Sequence, residues 1–270
     1  MAQSDLNVSN LALGLIGAKK ITTLADTTKE ALACTAHVDD CKKALLRMHP
    51  WNFAVKRKNI SASYTAITSI ADNGSGLYQI TKATHGLSDG ERVTIHEADS
   101  FSGANGTWIL ENTTTNTFDL KGSTYATDGG TDYGEYTTAP AFDYAYSIAL
   151  PSDCLRVLSV NNDLVEDLYR IEGGRLLIDD DEDVEIKYIK DVTDYATMDA
   201  LFYQALGHYL AYTLCDHITA GDGKKNEIHT YLYGGQGKRG ILPQARFVDA
   251  TEDAIQTIGA TDWVASRVTN

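Results

Sequence analysis

Long apolar runs are missing from this chain. No stretch approaches the roughly 18 consecutive apolar residues of a membrane span. The opening MAQSDLNVSN has neither the basic nor the apolar region of a signal peptide, so the reading is a soluble protein made in the cytoplasm. Cysteine is scarce: Cys34, Cys41, Cys154 and Cys215, with no CxxC pair, are too sparse for a disulfide framework and lack zinc spacing. Cys34 and Cys41 lie seven apart in a helical segment, which puts their Cα atoms about 10.5 Å apart, beyond disulfide reach. They read as small apolar fillers. Basic charge is also short, since 23 Lys and Arg stand against 37 Asp and Glu for a net −14. That balance argues against wrapping around DNA, because phosphate binding needs a basic surface.

What is present is enough for a real core. At 43% hydrophobic over 270 residues, the chain suits one elaborated or two ordinary domains at about 150 residues each, and disorder is excluded as the dominant state. Charge is divided unevenly. Residues 1–60 carry nine Lys and Arg against five Asp and Glu, residues 61–140 three against ten, and residues 141–270 eleven against twenty-two. The segments stand at +4, −7 and −11, which suggests at least two differently used surfaces. Fifteen Tyr against six Phe favours partly wet contact surfaces, since Tyr joins a flat apolar body to a hydroxyl.

The first sixty residues read as helical. Leu6, Leu11, Leu13 and Leu15 populate a short segment stopped by Gly17, and Thr27-x-x-Glu30 has the form of a capping box. Leu32, Thr35, Val38, Cys41, Leu45 and Met48 then fall at steps of three and four along one long helix, which Pro50 ends. From Ser61 to Pro140 the composition turns to Gly, Thr, Asn, Asp and Tyr, with alternating runs separated by Asp72-Asn-Gly74, Ser88-Asp-Gly90, Asn105-Gly106 and Asp128-Gly-Gly130. This predicts a small antiparallel barrel or sandwich. Ile148 to Val160 and Arg175 to Val192 read as strands, the second folding as a hairpin around the acidic turn Asp179-Asp-Asp-Glu. Asp199 to Thr219 is a strong helix and Lys224 to Tyr233 a shorter one, followed from Gly237 by a loop, one further helical turn and a tail. The fold class is α+β: a helical bundle with a small antiparallel sheet, plus an inserted all-β barrel or sandwich.

Candidate chemistry is thin. Gly86-Leu-Ser88-Asp-Gly90 has the spacing of a nucleophile elbow, but a strand rather than a helix follows it, so a hairpin turn is the better reading. The run Asp179, Asp180, Asp181, Glu182, Asp183, Glu185 places Val184 and Lys190 where a calcium-binding EF-hand loop needs Gly and Glu, and reads as a solvated turn. His208 and Cys215 share a helix face while His217 points nearly the opposite way, so one ion cannot be held by all three. No Walker loop occurs. No catalytic set, cofactor site or metal site is expected, and the protein is not read as an enzyme.

Several segments in order carry a resemblance: Leu11-Ala-Leu-Gly through Ile21-Thr-Thr-Leu, Ala31 to His49-Pro-Trp-Asn-Phe-Ala-Val-Lys-Arg57, Tyr146-Ser-Ile-Ala-Leu-Pro-Ser-Asp-Cys-Leu-Arg-Val157, Val184 to Val192, Phe202 to Ile218 and Ala245 to Glu252. Over roughly 190 residues the chain resembles the head-to-tail adaptor proteins of tailed bacteriophages, the family of tail tubular protein A in short-tailed phages. The segment between Lys58 and Tyr144 interrupts that pattern. Through Ile80 to Ile95, Asn105-Gly-Thr107 and Asn116 to Leu120 it is similar to the small β-barrel related to the first catalytic cysteine half-domain of ubiquitin-activating enzymes. All four cysteines lie outside it, so ubiquitin chemistry gains no support.

The resemblance implies a ring, typically dodecameric, beneath the phage portal protein. Such a ring receives the tail nozzle and passes double-stranded DNA without binding it tightly, in the virion at the head-tail junction, with host cytoplasm as the place of assembly and no membrane contact. Residues 1–64 and 140–245 would form the adaptor core, 65–139 the inserted β domain and 246–270 a C-terminal arm. Trp51 and Phe53 are expected as buried structural anchors, Trp263 and Arg267 as the portal-binding anchor of the arm. Asp179, Asp180, Asp181, Glu182, Asp183 and Glu185 are candidates to face the DNA channel. The alternative from a different class is a tail appendage that binds host carbohydrate through the β domain.

Overall fold

The computed structural model describes residues 4–127, 129–161, 169–179, 183–218, 222–235 and 237–252. The fold is α+β, with helices and antiparallel sheets, divided into two compact units: Met1–Lys56 with Ile189–Asn270, and Arg57–Tyr188. These boundaries fall outside the expected insertion limits, so residues 57–64 and 140–188 belong with the β unit and not with the helices.

The helical unit is built on α1 (Asp5–Leu15), α2 (Lys29–Met48), α3 (Ala200–Ile218), α4 (Asp222–Tyr233) and α5 (Ile241–Glu252). Ser4 caps α1 by accepting the Asn7 N–H, and the helix closes where Gly17 takes φ +74° while the Ala18 N–H donates to the Leu13 carbonyl at 2.9 Å. The Asn10 side chain then clamps the returning chain, donating to the Ile21 carbonyl and accepting the Ile21 N–H, both at 2.9 Å.

α2 starts one residue later than the capping box suggests. Thr28, not Thr27, accepts the Ala31 N–H. Its far end is set by Pro50, which pushes His49 into extended backbone at φ −148°, ψ 145°. The α2 residues Ala31, Cys34, Val38, Cys41, Leu45 and Leu46 are buried, the stripe that a period of 3.6 lays along one side.

Asp199 accepts the N–H groups of Leu201 and Phe202 and so caps α3. Helix α3 packs against α1, α2, α4 and α5, which explains why it is apolar on nearly every side. It approaches α1 at Gly207, where an added Cβ would lie 2.4 Å from Leu11 Cδ2. Residues 241–252 correct the expectation of a loop and one helical turn: they form α5, with Pro243 in the first turn, where no intrahelical N–H bond is lost. The arm expected from Arg246 is corrected to the same extent, since residues 246–252 complete this helix and Asp249 within it is buried.

In the second unit, β1 (Val55–Ile60), β13 (Val184–Lys190) and β10 (Cys154–Val160) form one sheet in the order β1-β13-β10. The strands β9 (Tyr146–Ala149), β11 (Tyr169–Glu172) and β12 (Arg175–Ile178) form another, ordered β11-β12-β9. Both contribute to one core, in which Ile60, Val160, Val184, Ile186 and Tyr188 meet Ile148, Leu176 and Ile178. The hairpin expected around Asp179 is therefore corrected. Both edges of β12 are already paired, by β11 and β9, so β13 crosses to the other sheet. The actual hairpin turns at Gly173-Gly174, both at positive φ, as a two-residue primed turn requires. Strand Ile148–Val160 is likewise broken, at Pro151.

Residues 65–139 carry their own core, with Tyr78, Ile80, Val93, Ile95, Phe118, Leu120 and Tyr136 at its centre. The strands are β2 (Thr65–Ala66), β3 (Ser69–Asp72), β4 (Tyr78–Thr81), β5 (Arg92–His96), β6 (Gly106–Glu111), β7 (Thr117–Leu120) and β8 (Glu135–Ala139), in the order β2-β8-β5-β6-β7-β4-β3. The two end strands are neighbours in sequence. Between them the Ile67 N–H reaches the Gly134 carbonyl and the Thr68 N–H the Thr81 carbonyl, at 3.0 and 2.9 Å, so hydrogen bonding returns to residues 65–72. Within β7, Asp119 is buried and accepts from the side-chain amides of Asn73, Gln79 and Asn112.

Candidate interaction surface

The structure disperses the residues that invited chemical readings. Ser88 lies exposed in a turn, its N–H bonded to Glu91, and leads into β5 rather than a helix. His208 is buried, donates its Nδ1–H to the Gln204 carbonyl and stacks on Tyr231 at 4.4 Å, while the exposed His217 stacks instead on His37. Among the described residues no group of three His, Cys, Asp or Glu is placed to hold a metal ion. No described helix is long and apolar enough to cross a membrane.

One buried polar cluster has the ingredients of a catalytic site. Lys42, 5% exposed, is paired with Asp39 at 3.0 Å and Asp191 at 3.5 Å and lies over the Tyr195 ring, while the Tyr195 hydroxyl donates to Asp5. Burial first, and the Asp5 carboxylate second, push the Tyr195 hydroxyl far above its ordinary range. Lys43 and Lys42 hold the Asp39 carboxyl below its ordinary range against a smaller desolvation effect. Lys42, Asp39, Tyr195 and Asp5 each have a close partner within the cluster and Asp191 Oδ1 has the 3.5 Å ion pair with Lys42, which makes the cluster a brace tying α1 and α2 to the segment before α3.

Trp51 is fully buried in the helical unit. Its indole N–H donates to the Leu45 carbonyl at 3.0 Å, and its ring meets Phe202 edge-on at 4.9 Å. Its setting is the α2–α3 contact and not a β core. Phe53 is only half-buried, which corrects its expected burial: it touches Trp51 and Phe202 from the outside, at 6.1 and 5.0 Å. Of the acidic run, Asp179, Asp183 and Glu185 are exposed; Asp179 accepts the Ala145 N–H. Asp180, Asp181 and Glu182 lie outside the described residues, as do Trp263 and Arg267.

Sequence reasoning missed a large concave feature of the helical unit. A groove of about 1050 Å³ opens beside α4, floored by Leu11, Leu15, Ile228 and Ile241 and flanked by His208 and Tyr231. Lys224, Lys238 and Arg239 line it against a single described carboxylate, Glu227, so the rim is cationic in a strongly acidic protein. A tight turn delivers two of these cations. Gly234–Gly235 pairs antiparallel with Lys238–Arg239, and Gly234, at φ +95°, leaves no room for a Cβ, which would sit 2.6 Å from the Lys238 carbonyl oxygen. Arg239 in turn lies over the Phe247 ring at 5.3 Å. Of the exposed large aromatic side chains on α4 and α5, Tyr231 lines the groove at 56% exposed, while Tyr233 and Phe247, 39% and 57% exposed, lie outside its lining. The glycines at 234, 235, 237 and 240 were the available signal of this hairpin, but nothing in the local pattern tells which side chains it leaves bare. The chain matches no protein-family model, and a search of curated proteins finds no match.

Proposed function

We propose that the protein is a structural subunit of a phage head-tail adaptor ring, connecting the portal to the tail nozzle and forming part of the DNA channel. The observation that carries the reading is the open groove beside α4. A groove of about 1050 Å³ with an apolar floor, and Tyr231 56% exposed at its edge, is what a subunit presents to another protein. The ordered resemblance running from Leu11 to Glu252 names the kind of assembly, and a head-to-tail contact closes into a ring when its rotation fits. In this reading the exposed Asp179, Asp183 and Glu185 face the channel, where carboxylates repel phosphates and keep DNA sliding on water and counterions. The segment ending in Trp263 and Arg267 is the portal anchor, and residues 65–139, with their own core, project as a contact for a tail partner. Class-averaged electron micrographs of the purified protein with its portal test the proposal. Rings of fixed rotational symmetry on the portal are expected. Isolated monomers that never join the portal would refute it.

A further inference from the structure

Phe142 is 73% exposed, more than any other large apolar side chain described, and yet its loop is firmly held. The Tyr144 N–H donates back to the Phe142 carbonyl at 3.0 Å, the Ala145 N–H to Asp179 Oδ1 at 2.9 Å, and the Thr94 hydroxyl to the Ala145 carbonyl at 2.7 Å. Between these ties Asp143 takes φ +69°, a left-handed conformation that costs a non-glycine residue free energy. An aromatic ring held out in water with a carboxylate beside it, on a loop tied at Ala145 and, at its other end, by the Arg92 guanidinium donating to the Pro140 carbonyl at 2.9 Å, is a preformed contact element.

We propose that Phe142 and Asp143 of one copy seat in the groove beside α4 of a neighbouring copy, the ring against the apolar floor and the carboxylate against Lys238 and Arg239. This inference rests on the ring reading and names its subunit contact. Charge decides the pairing: among the described lining residues Lys224 is paired with Glu227 at 2.9 Å, which leaves the excess positive charge on Lys238 and Arg239, whereas the knob presents an aspartate. Size agrees, because about 1050 Å³ lies just above the roughly 300–1000 Å³ of small-molecule clefts and suits a peptide loop. Knob and groove are different surfaces of the same chain, so the contact is heterologous, the type that propagates head to tail and either closes into a ring or runs on as a filament. One knob buries little, and closure, which repeats the contact around the ring, supplies the avidity.

A charge exchange tests it, with assembly followed by sedimentation velocity and mass photometry over a concentration series. The wild-type chain should associate. Phe142→Ala should weaken association by about tenfold or more, as expected for losing the burial of one aromatic ring. Asp143→Lys sets a cation against the cationic groove, and the double variant Lys238→Glu, Arg239→Glu sets a carboxylate against Asp143, so each alone should stay monomeric. Mixed in equal amounts they should assemble, because each knob then meets an opposite groove. Recovery in the mixture also shows that both variants are folded. Assembly of the single variants at wild-type strength, or a mixture that stays monomeric, overturns the contact while leaving the ring reading to stand on the micrographs. A wild-type chain that is monomeric at every concentration also overturns it, and portal binding then decides the ring reading separately.

Discussion

Replacing Trp51 by Ala should unfold the helical unit at a much lower temperature than the wild type. The ring is fully buried and touches His49, Phe53 and Phe202, with centroid distances of 4.7, 6.1 and 4.9 Å. Deleting such a side chain costs about 3–5 kcal/mol through lost transfer energy and the cavity left behind. A second loss adds to it. Leu45 is among the last four residues of α2, whose carbonyls have no intrahelical donor, and the indole N–H of Trp51 serves one of them at 3.0 Å. An unserved buried carbonyl costs roughly 1–3 kcal/mol more, against a total stability of only about 5–15 kcal/mol. At roughly 3–6 °C per kcal/mol, the lower end of that combined loss, about 4–5 kcal/mol, already lowers Tm by about 12–30 °C. Trp51→Phe separates the two contributions, since it keeps the edge contact with Phe202 and removes the donor; its cost should be about 1–3 kcal/mol. Thermal melts followed by circular dichroism at 222 nm read the helices, while in a Trp263→Phe background the fluorescence of Trp108, which lies in the other unit and is then the one Trp left in the Trp51→Ala chain, should show a separate transition close to that of the Trp263→Phe single variant. A Trp51→Ala protein whose 222 nm transition coincides with the wild type would show that this ring does not anchor α2 on α3.

Thr28→Ala should cost about 1 kcal/mol, whereas Thr27→Ala should leave the urea midpoint unchanged, because only Thr28 accepts the Ala31 N–H; equal effects would mean the helix starts elsewhere. Asp119→Ala strands three side-chain amides, those of Asn73, Gln79 and Asn112, and should destabilise the β unit by at least about 3 kcal/mol in denaturant titrations. Burial pushes the His208 imidazole below its ordinary range, opposed by its contact with the Gln204 carbonyl. The unfolded chain therefore binds the extra proton first, so stability falls as pH drops below about 6.5 until the folded imidazole also protonates, and is unaffected above. His208→Phe should flatten that slope between pH 7 and 5, and identical slopes in variant and wild type would rule out His208 as its source.

The helices were legible because their information is local. A stripe at steps of three and four, a proline after Met48 and an aspartate before Ala200 fix where α2 and α3 lie with little help from the rest of the chain. The turn residues between 72 and 130 likewise announce antiparallel strands, and residues 65–139 have a core cluster of their own within the unit that spans Arg57–Tyr188. What the sequence could not settle depends on partners distant along the chain. The alternation of Leu176 and Ile178, then Val184, Ile186 and Tyr188, says that both strands face a core, but the same pattern fits a hairpin or a crossing between two sheets. The prior pairing of β12 with β9 and β11 decided it. Exposure was equally hidden. Trp51 and Phe53 are both aromatic and two residues apart, and only the arrival of Phe202 buries one and leaves the other half-covered. Composition determined that the chain has a core and an acidic surface; packing alone decided that Lys224, Lys238 and Arg239 line one groove and that Phe142 stands in water, because a side chain's neighbours across a fold are not encoded by its neighbours in sequence.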